Sequence, residues 1–317
     1  MRTERRIVMN IRLISAIAAV ILLASCTSAP IAPTNTDNSP VAPSPSVTPT
    51  AVATPSPTIA PTPTPTAVPT KAPEKTSAPE VSSSGLNKLD NKGSGWGFKK
   101  NKGDEPSIYD STKKIFAKYD TYYMDQTKPK ALYLTFDEGY ENGYTASILD
   151  TLKKCNVPAA FFITGPYAKN QTELVQRMID EGHIVGNHTV NHPNLPTLGT
   201  SEKMADELNA LNKIVKDKYG IDMKYMRPPE GEWSERLLAT AQSEGYKTVL
   251  WSFAYRDWET ENQKGADYAF EQVTPYLHDG AILLLHAVSS DNAEALESII
   301  NHAKDQGYEF RSLDELE

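Results

Sequence analysis

Cysteine is scarce: Cys26 and Cys155 are the only two in 317 residues. Beyond the N-terminus there is no Lys/Arg-rich tract, and the net charge is −8. Without a basic footprint to grip a phosphate backbone, nucleic acid is not expected as a partner. A bilayer span needs about 20 apolar residues, and the N-terminal apolar run, 13–24, has twelve. Aromatic residues are missing from 30–79, where 14 of the 23 prolines stand among Thr, Ser, Ala and Val. Such a stretch cannot bury enough apolar surface to offset its ordering entropy. It reads as a semi-rigid linker of polyproline II character.

What is present begins with a targeting signal. Arg2, Arg5, Arg6 and Arg12 precede the apolar run, which ends in Leu23-Ala24-Ser25-Cys26. This resembles the bacterial lipobox, which implies cleavage before Cys26 and lipidation of its sulfur. The expected organisation is a signal peptide over 1–25 and a Pro/Thr linker over 26–84. An N-terminal extension over 85–130 then packs on a catalytic domain over 131–317. The expected location is the outer face of the cell membrane, with a lipid anchor at Cys26. Cys155 would then have no internal disulfide partner and reads as a small residue packed at a helix end.

From residue 131 short apolar runs alternate with amphipathic stretches. The runs are 131–136 (ALYLTF), 159–163 (AAFFI), 183–186, 224–227, 248–251, 281–286 (AILLLH) and 309–311. Between them, 145–154 and 201–219 place apolar residues at helical spacing. Helix starts are read at Ser234 and at Asn292. Continuous apolar strands separated by helices indicate an α/β fold with a parallel sheet. Seven such units suit a closed or nearly closed barrel, with an open doubly wound sheet as the alternative. Asp137, Glu138, His188, Arg227, Asp257 and His286 all lie at or just after strand ends. In a parallel barrel those ends share the C-terminal rim, so distant residues would converge on one pocket.

The chemistry of these residues is suggestive. His188 and His192, four apart, would face one side of a turn and could hold a metal, or could be a surface pair. Thr189 follows His188, so this is not the HExxH pattern of zinc peptidases. Of the adjacent carboxylates Asp137 and Glu138, one could bind the metal while the other accepts a proton. Arg227 could hold a carboxylate ionised. His286 ends an apolar run and, partnered by Asp257, could be an imidazolium acid. His183, His278 and His302 lack such company and read as structural.

In order, TFDEG (from Thr135), HTVNHP (from His188), RPP-x-G (from Arg227), RDW (from Arg256) and LLLH (from Leu283) resemble the motifs of polysaccharide deacetylases with the NodB homology domain, carbohydrate esterase family four. The resemblance covers about 131–313 and implies a distorted (β/α)7 barrel with its catalytic residues at the C-terminal rim. It implies a divalent metal, Zn²⁺, on Glu138, His188 and His192, with Asp137 as base, His286 as acid, Arg227 orienting the base and Asp257 tuning the acid. Leu284 and Trp258 would line an acetyl pocket, and the backbone N–H of Glu230 would help hold an oxyanion. Glu138 stands where the family usually has Asp, and Glu230 where an aromatic is common. GWGFKKN (from Gly95), FDEGYENGYT (from Phe136) and FAYRDW (from Phe253) further resemble the δ-lactam-biosynthetic deacetylases. That branch implies N-acetylmuramic acid of peptidoglycan as substrate. The alternatives are another acetylated glycan, or a silent glycan-binding lipoprotein.

Overall fold

The structure, a computed structural model, describes residues 83–316. Cys26, the signal and nearly all of the Pro/Thr linker lie outside the described residues. Eight strands form one sheet: β1 Thr121–Tyr122, β2 Ala131–Glu138, β3 Ala159–Ile163, β4 Ile184–Asn187, β5 Tyr225–Met226, β6 Lys247–Val249, β7 Ala281–His286 and β8 Glu309–Phe310. Their order is β7-β2-β3-β4-β5-β6-β1, with every neighbouring pair parallel. Single bridges join the residues just after β1 and β6 to β7, Met124 to Ala281 and Phe253 to Leu283, and so bring the two ends of this path together. The sheet is therefore a distorted barrel rather than an open doubly wound sheet.

The seven apolar runs fall on β2 to β8, but the barrel uses them unevenly. β8 pairs only with Ala131 and Leu132 at the start of β2. The seventh place around the barrel is taken by β1, which comes from the region before residue 131. Two residues are too short to show a period, so no pattern announces β1.

Side-chain parity decides what faces what. In β2, Leu132, Leu134 and Phe136 belong to the large cluster packed against the helices, whereas Ala131 and Tyr133 join Phe162, Tyr225, Val249 and Ile282 in the barrel interior. Successive strand residues alternate faces, so Thr135 and Asp137 continue the interior row and Glu138 the helix row. The same count puts Leu284 and His286 of β7 on the interior side, with Leu283 and Leu285 against the helices. Gly186 leaves room for this filling, because a Cβ there would stand 2.6 Å from the Phe162 ring.

The covering helices follow their sequence signals. Ser201–Tyr219 buries Met204, Leu208, Leu211 and Val215, is capped by Thr200 accepting from Lys203 N–H, and stops at left-handed Gly220. Thr145–Cys155 ends on Cys155, half-buried and free. The last long helix, Ser290–Asp305, starts two residues before the expected Asn292, with Ser289 as its cap. Asn292 is thereby buried in the first turn. No helix among the described residues is long and apolar enough to cross a membrane.

Residues before the barrel have their own core. Leu86, Phe116, Tyr119, Tyr123 and Met124 pack with Trp233, Leu238 and Leu250. Ser94–Gly95 pairs antiparallel with Glu232–Trp233. This fixes the segment that follows, residues 96–100, beside the rim.

Candidate active site

Asp137 ends β2 on the interior face and is gripped by a fully buried Arg227. Arg227 Nη1 donates to Asp137 Oδ1 at 2.8 Å and Nη2 to Thr135 Oγ1 at 2.9 Å. Its Nε donates to the Val249 carbonyl at 3.0 Å, and Nη2 also to that of Leu250 at 3.2 Å. The guanidinium lies 4.2 Å from the centroid of the Phe162 ring. With its donors engaged, Arg227 is a fixed positioning residue for the carboxylate. Burial works against the charge of Asp137, but Arg227, then His188 and His286, outweigh it and hold the carboxyl below its ordinary value.

His188 and His192 come together, on a turn rather than a helix. Thr189 and His192 adopt left-handed backbone, at φ 68° and 57°. That is an uncommon conformation for a β-branched residue and marks local strain. The turn is pinned by Thr189 N–H to Asn187 Oδ1 at 2.9 Å and His192 N–H to Thr189 Oγ1 at 2.9 Å. The two imidazoles sit edge to face with centroids 4.8 Å apart. His188 Nδ1 lies 2.8 Å from the Arg227 carbonyl, an acceptor that fixes the proton on Nδ1 and leaves the Nε2 lone pair free. Burial is the main reason that the His188 pKa is pushed down to about 4, so the ring stays neutral. Asp137 Oδ2 is 3.6 Å from His188 Nε2.

Glu138, which the resemblance implies as a metal ligand, lies apart from His188 and His192 here. It lies on the helix row of β2, is fully buried, and does not line the cavity that Asp137, His188 and His192 share. Neither carboxylate oxygen has a hydrogen-bond partner among the described residues. Burial, with Glu141 and Asp137 nearby, raises its pKa well above the usual carboxylate range. The physical reason is parity: two successive strand residues cannot both face the barrel interior. Among the described residues no three His, Cys, Asp or Glu side chains are grouped closely enough to hold a metal. The donor chemistry of the His188 and His192 imidazoles nevertheless fits a zinc-like ion better than a hard cation such as Mg²⁺.

His286 ends β7 opposite Asp137, its register partner. Asp257 clasps it twice: Oδ1 lies 2.8 Å from His286 Nδ1, and Oδ2 accepts the His286 backbone N–H at 2.8 Å. Asn292 Nδ2 donates to the same Oδ2 at 2.6 Å. Burial alone would depress the imidazole, but the charge and hydrogen bond of Asp257 more than offset it, and the pKa is raised. Trp258 stands edge-on to the His286 ring at 5.5 Å and is 48% exposed. Leu284 and Trp258 both line a cavity of about 820 Å³ with Asp137, His188, His192 and His286. Glu230 lines it too, in left-handed backbone at φ 59° within the turn Pro229–Gly231. A second cavity of about 440 Å³, flanked by Tyr140, Pro166 and Asn191, shares the Asp137, His188, His192, Trp258 and His286 walls. The reactive groups thus stand where two clefts meet, as suits a chain substrate lying across the rim.

The family model of polysaccharide deacetylase matches residues 124–249. Peptidoglycan-N-acetylmuramic acid deacetylase PdaA of Bacillus subtilis is 48% identical over 225 residues, 70% of this chain and 84% of that protein. The chain belongs to the polysaccharide deacetylase family. The solved structure of Bacillus subtilis PdaA, a family 4 carbohydrate esterase, superposes with a TM-score of 0.70 at 46% identity, over 72% of this chain and 98% of that one. Peptidoglycan-N-acetylglucosamine deacetylase PgdA of Listeria monocytogenes is 36% identical over 187 residues, 59% of this chain and 39% of that protein.

For this polysaccharide deacetylase, the sequence had not pointed to Thr135 and Asn292 as supports, or to residues 96–100 as cavity wall. Thr135 could have been found by parity with Asp137. Asn292 was hidden inside an apparent helix start. His183 and His278, both buried, serve structure: Ala159 N–H donates to His183 Nδ1, and His278 Nδ1 lies 3.0 Å from the Tyr276 carbonyl.

Proposed function

We propose that this protein removes N-acetyl groups from peptidoglycan, with N-acetylmuramic acid as the sugar and muramic δ-lactam as the onward product. The observation that carries the reading is the facing pair at the rim, Asp137 held by Arg227 and His286 held by Asp257. One is kept ionised and the other is disposed to carry a proton. Hydrolysis of an amide needs both: a base to take the proton of the attacking water and an acid to protonate the departing nitrogen. Asp137 is suited to the first role because Arg227 fixes its orientation and leaves Oδ2 toward the cavity. His286 is suited to the second because Asp257 takes Nδ1 and leaves Nε2 for the substrate. Leu284 and Trp258 offer an apolar recess for the acetyl methyl, and the Glu230 backbone borders the same space. His188 and His192 would hold a divalent ion, Zn²⁺, with Asp137 kept as the base beside it. When bound, such an ion supplies Lewis-acid activation of water and carbonyl. The lactam would follow when the freed amine closes onto the lactyl carboxyl of the same sugar, with loss of water.

PdaA is the more similar of the two named relatives, which favours muramic acid over N-acetylglucosamine. The intact acid and base disfavour a silent binding protein. We further propose that the chain is lipid-anchored through Cys26, at the outer face of the membrane, and reaches the wall on its Pro/Thr linker. The test is product analysis on peptidoglycan strands stripped of stem peptides, with and without chelation verified by elemental analysis. Free amine or lactam on muramic acid, lost on metal removal, is expected. Deacetylation confined to N-acetylglucosamine would refute the substrate, and full turnover of metal-free protein would refute the metal.

A further inference from the structure

The segment GWGFKK, residues 95–100, plays no part in acid–base chemistry, yet Trp96, Gly97, Phe98 and Lys100 line the larger cavity. They are firmly held there. Trp96 donates Nε1–H to the Trp251 carbonyl at 2.8 Å and its backbone N–H to the Gly231 carbonyl at 2.9 Å. Its ring packs 5.3 Å from Phe116 and 5.5 Å from Tyr123. Gly231, at φ 67°, admits this approach, since a Cβ there would lie 2.8 Å from the Trp251 ring and 3.0 Å from Trp96. The segment is a built wall, and it presents Lys100 at a defined place.

Lys100 Nζ donates to the Ala254 carbonyl at 3.1 Å and lies 4.8 Å and 5.2 Å from the ring centroids of Tyr276 and Phe253. An ammonium has three donors, so this arrangement leaves it capacity. Burial depresses its pKa, and among the described residues no carboxylate offsets that cost. Of the three other Asp, Glu and Arg side chains on this cavity, Asp137 pairs with Arg227 and Arg256 with Glu259, while Glu230 is exposed and has no ion pair among the described residues. A half-buried cation without a counter-charge is costly unless an anion completes it.

We infer that Lys100 is a specificity-determining residue that binds the lactyl carboxylate of muramic acid. The inference rests on the muramic acid reading of the site and goes beyond it by naming the group that discriminates. N-acetylmuramic acid differs from N-acetylglucosamine by the lactyl ether, carried on the ring carbon next to the one bearing the acetamido group. Lys100 lines the same cavity as Asp137 and His286, and with the amide between those two the inference sets the lactyl anion against the wall that carries Lys100. A cation there favours the one sugar and leaves the other with an unanswered charge.

The test compares wild type and Lys100→Met on peptide-free glycan strands, and on the same strands with lactyl carboxyls converted to neutral methylamides. For wild type, neutralising the carboxyl is expected to lower kcat/KM by about ten- to a hundredfold, the scale of a hydrogen bond to a charged group. The loss should fall mainly on KM. Lys100→Met should show a like loss on the carboxylate strands and little further loss on the neutral ones, and Lys100→Arg should recover part of it. Equal losses on both strands would show a structural wall only and overturn the inference, as would no loss on either. Lys100→Gln repeats the comparison should the Met variant fail to fold. Deacetylation by wild type of N-acetylglucosamine residues alone would sink the muramic acid reading itself, a result visible in product identity before any variant is made.

Discussion

Replacing Arg227 by Met tests the idea that a buried charge pair, rather than simple packing, builds the catalytic base. Arg227 is fully buried and makes its bonds to Asp137, Thr135 and the carbonyls of Val249 and Leu250. Met fills similar apolar space against Phe162 but leaves the Asp137 carboxylate without its counter-charge. Breaking a buried pair by removing one partner costs about 3–5 kcal/mol. Against a domain stability of about 5–15 kcal/mol, the variant should remain folded in dilute buffer. In urea unfolding the midpoint should fall by about 1–2.5 M at a slope of 2–3 kcal/mol/M. The deficit should also depend on pH. In wild type the carboxyl of Asp137 is held below its ordinary value. Its stabilising contribution is therefore present above the unfolded-state pKa and lost as pH falls through the lower folded value. Without Arg227, burial dominates and raises the folded-state pKa, so the variant is relieved as the carboxyl takes up a proton. The gap between the two proteins should thus narrow from neutral to acid pH. Arg227→Met/Asp137→Asn should be more stable than Arg227→Met alone, because the stranded charge is gone. A deficit under about 1 kcal/mol, or one constant across pH, would refute the reasoning.

Two further outcomes rest on the same site, and a third on the N-terminal Leu23-Ala24-Ser25-Cys26. Asp257→Asn should move the alkaline limb of the kcat profile to lower pH, because the clasped His286 is held above its ordinary pKa mainly by that carboxylate against burial; an unmoved limb would dissolve the pairing. His188→Ala should lose bound metal by elemental analysis, whereas Glu138→Gln should keep it, since Glu138 does not line the cavity; loss of metal in the Gln variant would restore Glu138 as a ligand. Cys26→Ala should release the protein from membranes with the specific activity of its catalytic domain retained, and full retention in the membrane fraction would remove the lipid anchor.

The residues that the structure gathers at the rim had two independent signals in the sequence. Asp137, His188, Arg227 and His286 were marked both by their place at the ends of apolar runs and by their residue type, and the parallel sheet does gather them on one rim. Glu138 had the same two signals and yet lies elsewhere. The missing datum was face: β2 is buried on both sides, so its apolar run carries no alternation from which the interior row could be read. Only the packing of Ala131 and Tyr133 inside, and of Leu132, Leu134 and Phe136 outside, decides it.

The contribution of residues before 131 was illegible for a different reason. Their short, glycine-bearing run GWGFKKN forms only strand fragments, Ser94–Gly95 and Lys99–Asn101, and what orders it is tertiary. Trp96 has a place only because Gly231 lacks a side chain and the Trp251 carbonyl is turned toward it. Those partners lie more than a hundred residues away. Local pattern reports which residues can form an element; it does not report which surface a loop will find. Since this segment brings Lys100 and two aromatic rings to the cavity, the part of the site hardest to read is, on our proposal, the part that meets the variable portion of the substrate. On the same proposal the catalytic groups answer to the acetyl group being removed, so fixed motifs suffice for them. Discrimination between sugars is instead assigned to a segment outside the repeating βα units, where its residues can change without disturbing a strand end.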